Sequence, residues 1–369
     1  MTLFYARTTI RPPLFSIYAF FKRFYATAIR SDSYASRYRE EQALSEDAEK
    51  CNAAKADPNA RILLFYNLKP LLIKLREYTS VTKWHLYKDI VQMDIIAKSE
   101  AYKTRIGESV FVGLSDEGHP MFAAELTANK ENATREETEK FEKRLGGYFN
   151  SIQVPIVSEP TRQWSSLAIR AYSLLRWNRE HCYSSRSGQR TERLTSGHVQ
   201  KCPSTDETFY PQISPIVIVL LTHEDRCLLV RQSRFPPRMY SAVAGFCNVG
   251  ESIEDAARRE LAEEVGLCAK SVRYVGSESW PAPVPQIMLG CVAALDADVT
   301  PFSESIDIDE KEIETAKWFR RDEIAAVLRN PWGGVDETRA INIRVPPKFA
   351  VGNLLLREWV REGAQKRFL

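Results

Sequence analysis

Between Gly245 and Leu267 the chain sets Glu260, Glu263 and Glu264 beside Arg259 at spacings that can do chemistry. Five residues separate Gly245 from Glu251; seven more lead to Arg259, Glu260, Leu261, Ala262, Glu263, Glu264, Val265, Gly266 and Leu267. Glu263 and Glu264 follow Glu260 by three and four residues, so on a helix their carboxylates crowd one face. Adjacent carboxylates repel one another, and such a site normally holds a hard divalent cation through oxygen ligands, Mg²⁺ or Mn²⁺. Arg259 stands beside the cluster and can orient a carboxylate by a bidentate contact. A solvated acidic helix face is the plain alternative, and it would suffice for Glu263 and Glu264 alone. Seven fixed identities and two aliphatic positions at these spacings arise by chance at roughly 10⁻¹⁰ per start position, which decides against it.

A helix must present these groups, and its ends are written in the sequence. Ser252 is a cap, with Glu254 and Asp255 in the first turn facing the positive end of the dipole. Gly266 is a natural stop. Ile253, Ala257, Leu261 and Val265 recur every four residues and make one buried stripe. Pro215–Thr222 is an apolar, strand-sized run, and from Ile213 onward the pattern is strand, strand, Gly-rich turn, helix, strands, helix. Upstream, RILLFY at 61–66 reads as a strand. Ser109–Gly113 and Met121–Glu125 flank a turn signal and fit a hairpin. TREETEKFEKRL at 134–145 is helical, with Thr134 and Glu137 at capping-box spacing. SSLAIRAYSLLRW at 165–177 reads as an amphipathic helix. The expected organisation is a leader over 1–30, a linker with possible helix over 31–59, an N-terminal α+β domain over 60–177, a connector over 178–212 and a C-terminal domain over 213–365.

Composition narrows the class. The 369 residues carry 44% hydrophobic and 27% charged residues, as an ordinary globular protein does. The net charge of +3, from 51 basic and 48 acidic residues, is too near neutral to argue for nucleic-acid binding. No apolar run reaches the ~20 residues that span a bilayer, so no membrane partner is expected. The cysteines at 51, 182, 202, 227, 247, 268 and 291 are odd in number and form no CxxC pair, which points to a reducing compartment. Residues 1–30 contain Arg7, Arg11, Lys22, Arg23 and Arg30, interleaved with apolar residues, and no acid before Asp32. That pattern reads as a mitochondrial transit peptide, ahead of a disordered basic tail or a secretory signal.

The segment from Gly245 to Leu267 resembles the Nudix box, GX5EX7REUXEEXGU with U aliphatic, and every position matches. The resemblance implies an α/β/α sandwich with a mixed sheet and hydrolysis of a nucleoside diphosphate linked to another moiety. SESWPAPVPQIM at 277–288 is similar to the SQPWPFPxS motif of NADH pyrophosphatases. Ser277, Trp280, Pro281 and Pro283 match, whereas Glu278, Ser279 and Ala282 depart from Gln, Pro and Phe. FYPQISP at 209–215 and RFPPRMYSAVAGF at 234–246 resemble the same subfamily, and SRSGQ at 185–189 with KCPS at 201–204 its mitochondrial branch.

The resemblance implies roles residue by residue. Tyr210 and Phe246 match an aromatic pair that clamps the nicotinamide ring, and Ser277, Glu278, Trp280 and Gln286 lie on the substrate loop. Gly352 falls at a backbone contact to substrate. Metal positions are matched by Glu260, Glu263, Glu264, the carbonyl of Ala244, and Glu312, with Glu314 two residues on as the register alternative. A zinc ribbon is usual in the connector, but the matching positions are Ser184, Ser187, Cys202 and Thr205, and hydroxyls do not replace thiolates on zinc. Zinc is therefore unlikely and the connector is a degenerate ribbon; His181, Cys182, His198 and Cys202 form an imaginable replacement set. The expectation is a mitochondrial NAD(P)H pyrophosphatase, with Glu260, Glu263, Glu264 and Arg259 as catalytic residues, Mg²⁺ or Mn²⁺ as cofactor, NADH or NADPH as partner, and a homodimer possible. NAD-capped RNA, FAD or ADP-ribose as substrate is the alternative, as is a catalytically silent nucleotide sensor.

Overall fold

Two apolar strand runs seed two separate sheets. The computed structural model describes residues 31–76, 79–92, 102–104, 106–128, 135–158, 162–281, 284–329 and 342–366. The expected leader over 1–30, Thr134 of the capping box and positions 282–283 of the substrate motif lie outside the described residues.

The first sheet grows around RILLFY. Helices α1 (Ser31–Glu46) and α2 (Ala48–Lys55) precede β1 (Arg61–Tyr66), β2 (Lys69–Arg76), β3 (Thr79–Thr82) and β4 (Trp84–Leu86). Helix α3 (Tyr87–Gln92), β5 (Tyr102–Thr104), β6 (Val110–Leu114), β7 (Pro120–Ala128), α4 (Arg135–Leu145), β8 (Tyr148–Phe149), α5 (Gln153–Ser158) and α6 (Arg162–Glu180) follow. The main path runs β3-β2-β1-β7-β5, with β1 and β7 parallel and the expected β6–β7 hairpin antiparallel. Residues 31–59 are not a linker. Leu44 and Cys51 are buried in one core with Ile62, Leu64 and Phe122, and Glu41 accepts from the Leu114 amide at 3.2 Å. Charged and small residues dominate this stretch because only a narrow stripe of each helix faces inward. The other side of the sheet buries Leu63, Phe65 and Met121 against Leu167, Ala168 and Ala171 of α6.

A three-stranded antiparallel unit joins the two halves: β9 (Glu192–Arg193), β10 (Gln200–Lys201) and β11 (Thr208–Phe209). Its loop is seated on the N-terminal domain, where the Phe111 amide donates to the Ser196 carbonyl at 2.8 Å.

The second sheet has the order β15-β16-β12-β13-β17, with β14 also on β12. Its elements are β12 (Ser214–His223), β13 (Arg226–Arg231), β14 (Val243–Phe246), α7 (Ile253–Val265), β15 (Ala269–Trp280), β16 (Gln286–Leu295), β17 (Thr315–Arg320), α8 (Arg321–Arg329) and α9 (Val351–Lys366). Strands β12 and β16 are parallel and their other partners antiparallel. Alternation along β12 sends Val219 and Leu221 toward α7, where they meet Ala257, Leu261 and Val265. Ile218 and Leu220 point the other way, against Ile324 of α8 and Leu355 and Trp359 of α9. This is the α/β/α sandwich with a mixed sheet that the box implied. Among the described residues no helix is long and apolar enough to cross a membrane.

Candidate active site

The helix that carries the carboxylates is fixed at both ends. Ser252 accepts from the Asp255 amide at its start, and Gly266 closes it in the left-handed region with φ 64°. The expected stripe points into the sheet, with Glu260 and Glu264 buried and Glu263 exposed. Gly245 of β14 lies directly over Glu260: a β-carbon built there would stand 2.0 Å from the carboxyl carbon. Only glycine lets strand and carboxylate approach so closely.

Arg259 ties the site together. Its Nε and Nη2 donate to the two oxygens of Glu251 at 2.6 and 3.0 Å, the bidentate contact expected of it. Nη1 donates to Glu260 at 2.8 Å and to Glu263 at 2.7 Å, and Nη2 also reaches the Phe246 carbonyl at 2.7 Å. Glu251 in turn accepts from the Asn248 amide at 2.8 Å, which holds the loop between β14 and α7. The Arg259 guanidinium and this amide pull the Glu251 carboxyl down to about 2. Glu251 was in the motif but not among the expected site residues. Its signal was the box itself, and eight residues of separation hid its pairing with Arg259.

Glu260 and Glu264 are strained in the opposite sense. Glu264 is 3% exposed and its Oε2 has no hydrogen-bond partner. Burial, then the charges of Glu260 and Glu312, push its pKa up to about 8, against a smaller pull from Arg234. Burial also raises Glu260, with Glu263 and Glu312 adding to the shift against Arg259. Glu312 is thus close enough for its charge to act on both carboxyls, whereas Glu314 pairs with Arg231 at 3.1 Å. Among the described residues no group of three or more His, Cys, Asp or Glu side chains is placed to hold a metal ion. The donor set still fits a hard cation: an orphaned buried carboxylate oxygen next to two further carboxylates lacks only positive charge.

The substrate-loop residues separate onto two faces. Register places Phe246, Ile216, Met288 and Glu278 side by side across β14, β12, β16 and β15. Phe246 is 50% exposed and Tyr210 58%, so neither ring is core packing. Glu278 accepts from the Val351 amide at 2.7 Å, at the first turn of α9. Gly352 is the next residue, packed so that a β-carbon would meet Pro346, Ser241 and Ile218 at 3.2 to 3.4 Å. Gln286 is buried beside Trp280 and Ser214. Ser277 pairs with Leu289 on the opposite face, toward α7, and is not brought to Phe246 and Glu278. Trp280 packs on the N-terminal core rather than into the row.

The connector positions do converge, through hydrogen bonds. Ser184 Oγ accepts from the Ser187 amide at 3.1 Å and donates to Glu207 at 3.0 Å. Cys202 Sγ lies 3.4 Å from Ser187 Oγ and 3.2 Å from Ser204 Oγ. The hydroxyls of Ser187, Ser204 and Thr205 hold its thiol below an ordinary cysteine. The imagined replacement set does not assemble: His181 packs on Trp177 and Phe209, and His198 Nε2 lies 2.6 Å from the Phe111 carbonyl.

A mixed sheet between helices, with a carboxylate helix clamped under a glycine of the neighbouring strand, defines a Nudix-type hydrolase domain. The NUDIX domain family model matches residues 212–337. The chain is 34% identical over 333 residues to the NAD(P)H pyrophosphatase NUDT13, mitochondrial, of Homo sapiens, covering 89% of this chain and 92% of that protein. It is 34% identical over 224 residues to the human NAD-capped RNA hydrolase NUDT12, covering 58% of this chain and 46% of that protein. A NUDIX hydrolase structure from Nitrosomonas europaea aligns with a TM-score of 0.34 and 19% identity, over 50% of this chain and 92% of that one. The chain belongs to the Nudix hydrolases, in their NADH pyrophosphatase subfamily.

Proposed function

We propose that this protein hydrolyses the diphosphate bond of reduced NAD(P), releasing reduced nicotinamide mononucleotide with AMP from NADH or 2′,5′-ADP from NADPH. The observation that carries the reading is the buried, unpartnered carboxylate of Glu264 beside Glu260. It occurs in a chain similar over 89% of its length to a mitochondrial NAD(P)H pyrophosphatase. The same similarity, with the basic acid-free stretch at 1–30, supports action in the mitochondrion.

Glu260, Glu263, Glu264, Glu312 and the Ala244 carbonyl would hold Mg²⁺ or Mn²⁺. A divalent ion bound there supplies Lewis-acid polarisation of the diphosphate and a lowered pKa for an attacking water. Burial and the neighbouring carboxylates push the Glu264 pKa up to about 8, so a cation held there would compete with its proton. Arg259 holds Glu251, Glu260 and Glu263 in one arrangement, so the carboxylates need not reorganise during reaction. The row Phe246, Ile216, Met288 and Glu278 is the floor for the nicotinamide nucleoside, with Tyr210 as the second ring. A homodimer remains part of the proposal and is read directly by light scattering.

The test is a panel of NADH, NADPH, NAD⁺, FAD, ADP-ribose and NAD-capped RNA with Mg²⁺ or Mn²⁺. Reduced dinucleotides are expected to give the highest kcat/KM. A higher value for capped RNA or ADP-ribose would replace the substrate assignment and keep the chemistry. No hydrolysis of any member would return the chain to the role of a nucleotide sensor.

A further inference from the structure

One residue of the substrate strand packs against another domain's core. Trp280 ends β15 and packs on the cluster that holds Leu63, Phe65, Met121, Leu167, Ala168 and Ala171. That cluster lies between the N-terminal sheet and α6. Glu278 and Trp280 are two residues apart on one strand, so they share a face. On that face Glu278 reaches the Val351 amide of α9 at 2.7 Å. The strand is therefore gripped twice, by α9 at Glu278 and by the N-terminal domain at Trp280. Its hairpin partner is gripped as well: the Ser214 amide donates to the Pro285 carbonyl at 2.9 Å, and Gln286 is buried opposite Trp280. An indole buries a large apolar area at little entropic cost, which suits a rigid brace.

We infer that the N-terminal domain braces the β15–β16 hairpin through Trp280, and that Trp280 is a positioning residue for the nicotinamide end of the substrate. The inference rests on the proposed dinucleotide hydrolysis for its substrate, and it gives the N-terminal domain a task the sequence did not disclose. The diphosphate chemistry sits across the sheet on α7 and does not depend on this grip. Loss of the brace should therefore weaken the fit of the ring and spare the bond cleavage. Misplacement by about 1 Å costs up to ~10²-fold where a reacting geometry is involved.

The experiment compares wild-type full-length protein with Trp280→Ala and Trp280→Phe. For Trp280→Ala the KM for NADH should rise about tenfold while kcat changes less than about twofold. Hydrolysis of ADP-ribose, which lacks the ring, should change less than about twofold in kcat/KM. Amide hydrogen exchange should accelerate across 277–288 and stay unchanged in α7. Trp280→Phe should restore both readouts. If Trp280→Ala does not fold, Trp280→Leu supplies the same comparison. Equal losses on NADH and ADP-ribose, or unchanged exchange across the hairpin, would overturn the brace. Absence of NADH hydrolysis by the wild type would remove the proposed function, and hairpin exchange would then decide the brace alone.

Discussion

The α7 cluster and the connector knuckles are both small groups of polar side chains, and they are in opposite states. In the connector each group is satisfied. Ser184 has Ser187 and Glu207, and Cys202 has the hydroxyls of Ser187 and Ser204. On α7 the charges are in surplus: Glu264 is buried without a partner for Oε2, and Glu260 and Glu312 raise its pKa further. The satisfied group needs nothing more to stay folded. The unsatisfied one stores a cost of order 1–3 kcal/mol that a cation would relieve. Each place has a buried pair, Ser184 and Cys202 in the connector and Glu260 and Glu264 on α7, and what separates the two pairs is the balance of donors and acceptors.

The largest expected effect is at Glu264. Glu264→Gln keeps the shape and removes the surplus charge, so kcat should fall by roughly 10²-fold or more with the fold intact. Near wild-type turnover at saturating Mg²⁺ would remove Glu264 from the metal set. Stability should move the other way. The folded pKa of about 8 lies above the ordinary carboxylate value of 4.5, so the folded state binds the extra proton between them. Stability from this group is complete below about pH 4.5 and is lost as pH rises through about 8. The metal-free Glu264→Gln protein should therefore melt above the metal-free wild type at pH 8.5 and match it near pH 5. Added Mg²⁺ should raise the wild-type Tm more at pH 8.5 than at pH 6, and a pH-independent rise would contradict the unpartnered carboxylate.

The connector offers the reverse conversion. If satisfaction by hydroxyls is what distinguishes it, restoring thiols should restore metal. The triple variant Ser184→Cys, Ser187→Cys, Thr205→Cys joins Cys202 in a four-thiol set and should bind about one Zn²⁺ per chain, with a Tm that chelator lowers. The wild type should hold far less than one Zn²⁺ in elemental analysis. Stoichiometric zinc in the wild type would mean that the hydroxyl network is not the whole account. A triple variant without zinc would mean that the knuckles have lost the ribbon's backbone as well as its ligands.

How much of this was legible follows from the range of the contacts. The cap at Ser252, the stop at Gly266 and the buried stripe of α7 are set by residues within two turns, and the structure matches them. The carboxylate cluster was legible because the box fixes each position. The helices over 31–55 carry no local sign that they belong to the N-terminal domain, because Leu44 and Cys51 are isolated apolar residues in a charged stretch. The engagement of Glu278 with Val351 spans 73 residues, and the packing of Trp280 on α6 crosses domains. Neither leaves a local pattern. Ser277 was grouped with its neighbours by motif, whereas strand alternation puts it on the other face.

The smallest expected effect is at Glu278, and it tests whether a satisfied carboxylate behaves as the connector does. NADH and NAD⁺ differ in the nicotinamide ring, which is cationic only when oxidised. Aromatic faces at Phe246 and Tyr210 favour the cation, so a preference for NADH needs an opposing cost of desolvating it. A carboxylate at the end of the same row offsets that cost for the cation and narrows the preference. The Val351 amide occupies one oxygen of Glu278 at 2.7 Å and holds it at the base of α9, which limits but does not remove this charge. Glu278→Gln retains an acceptor for that amide and loses the charge. Folding should be unaffected, and the NADH to NAD⁺ ratio of kcat/KM should widen by about two- to fivefold, the equivalent of ~0.4–1 kcal/mol. An unchanged ratio with normal NADH turnover would make Glu278 a purely architectural cap of α9, as fully satisfied as the serines of the connector.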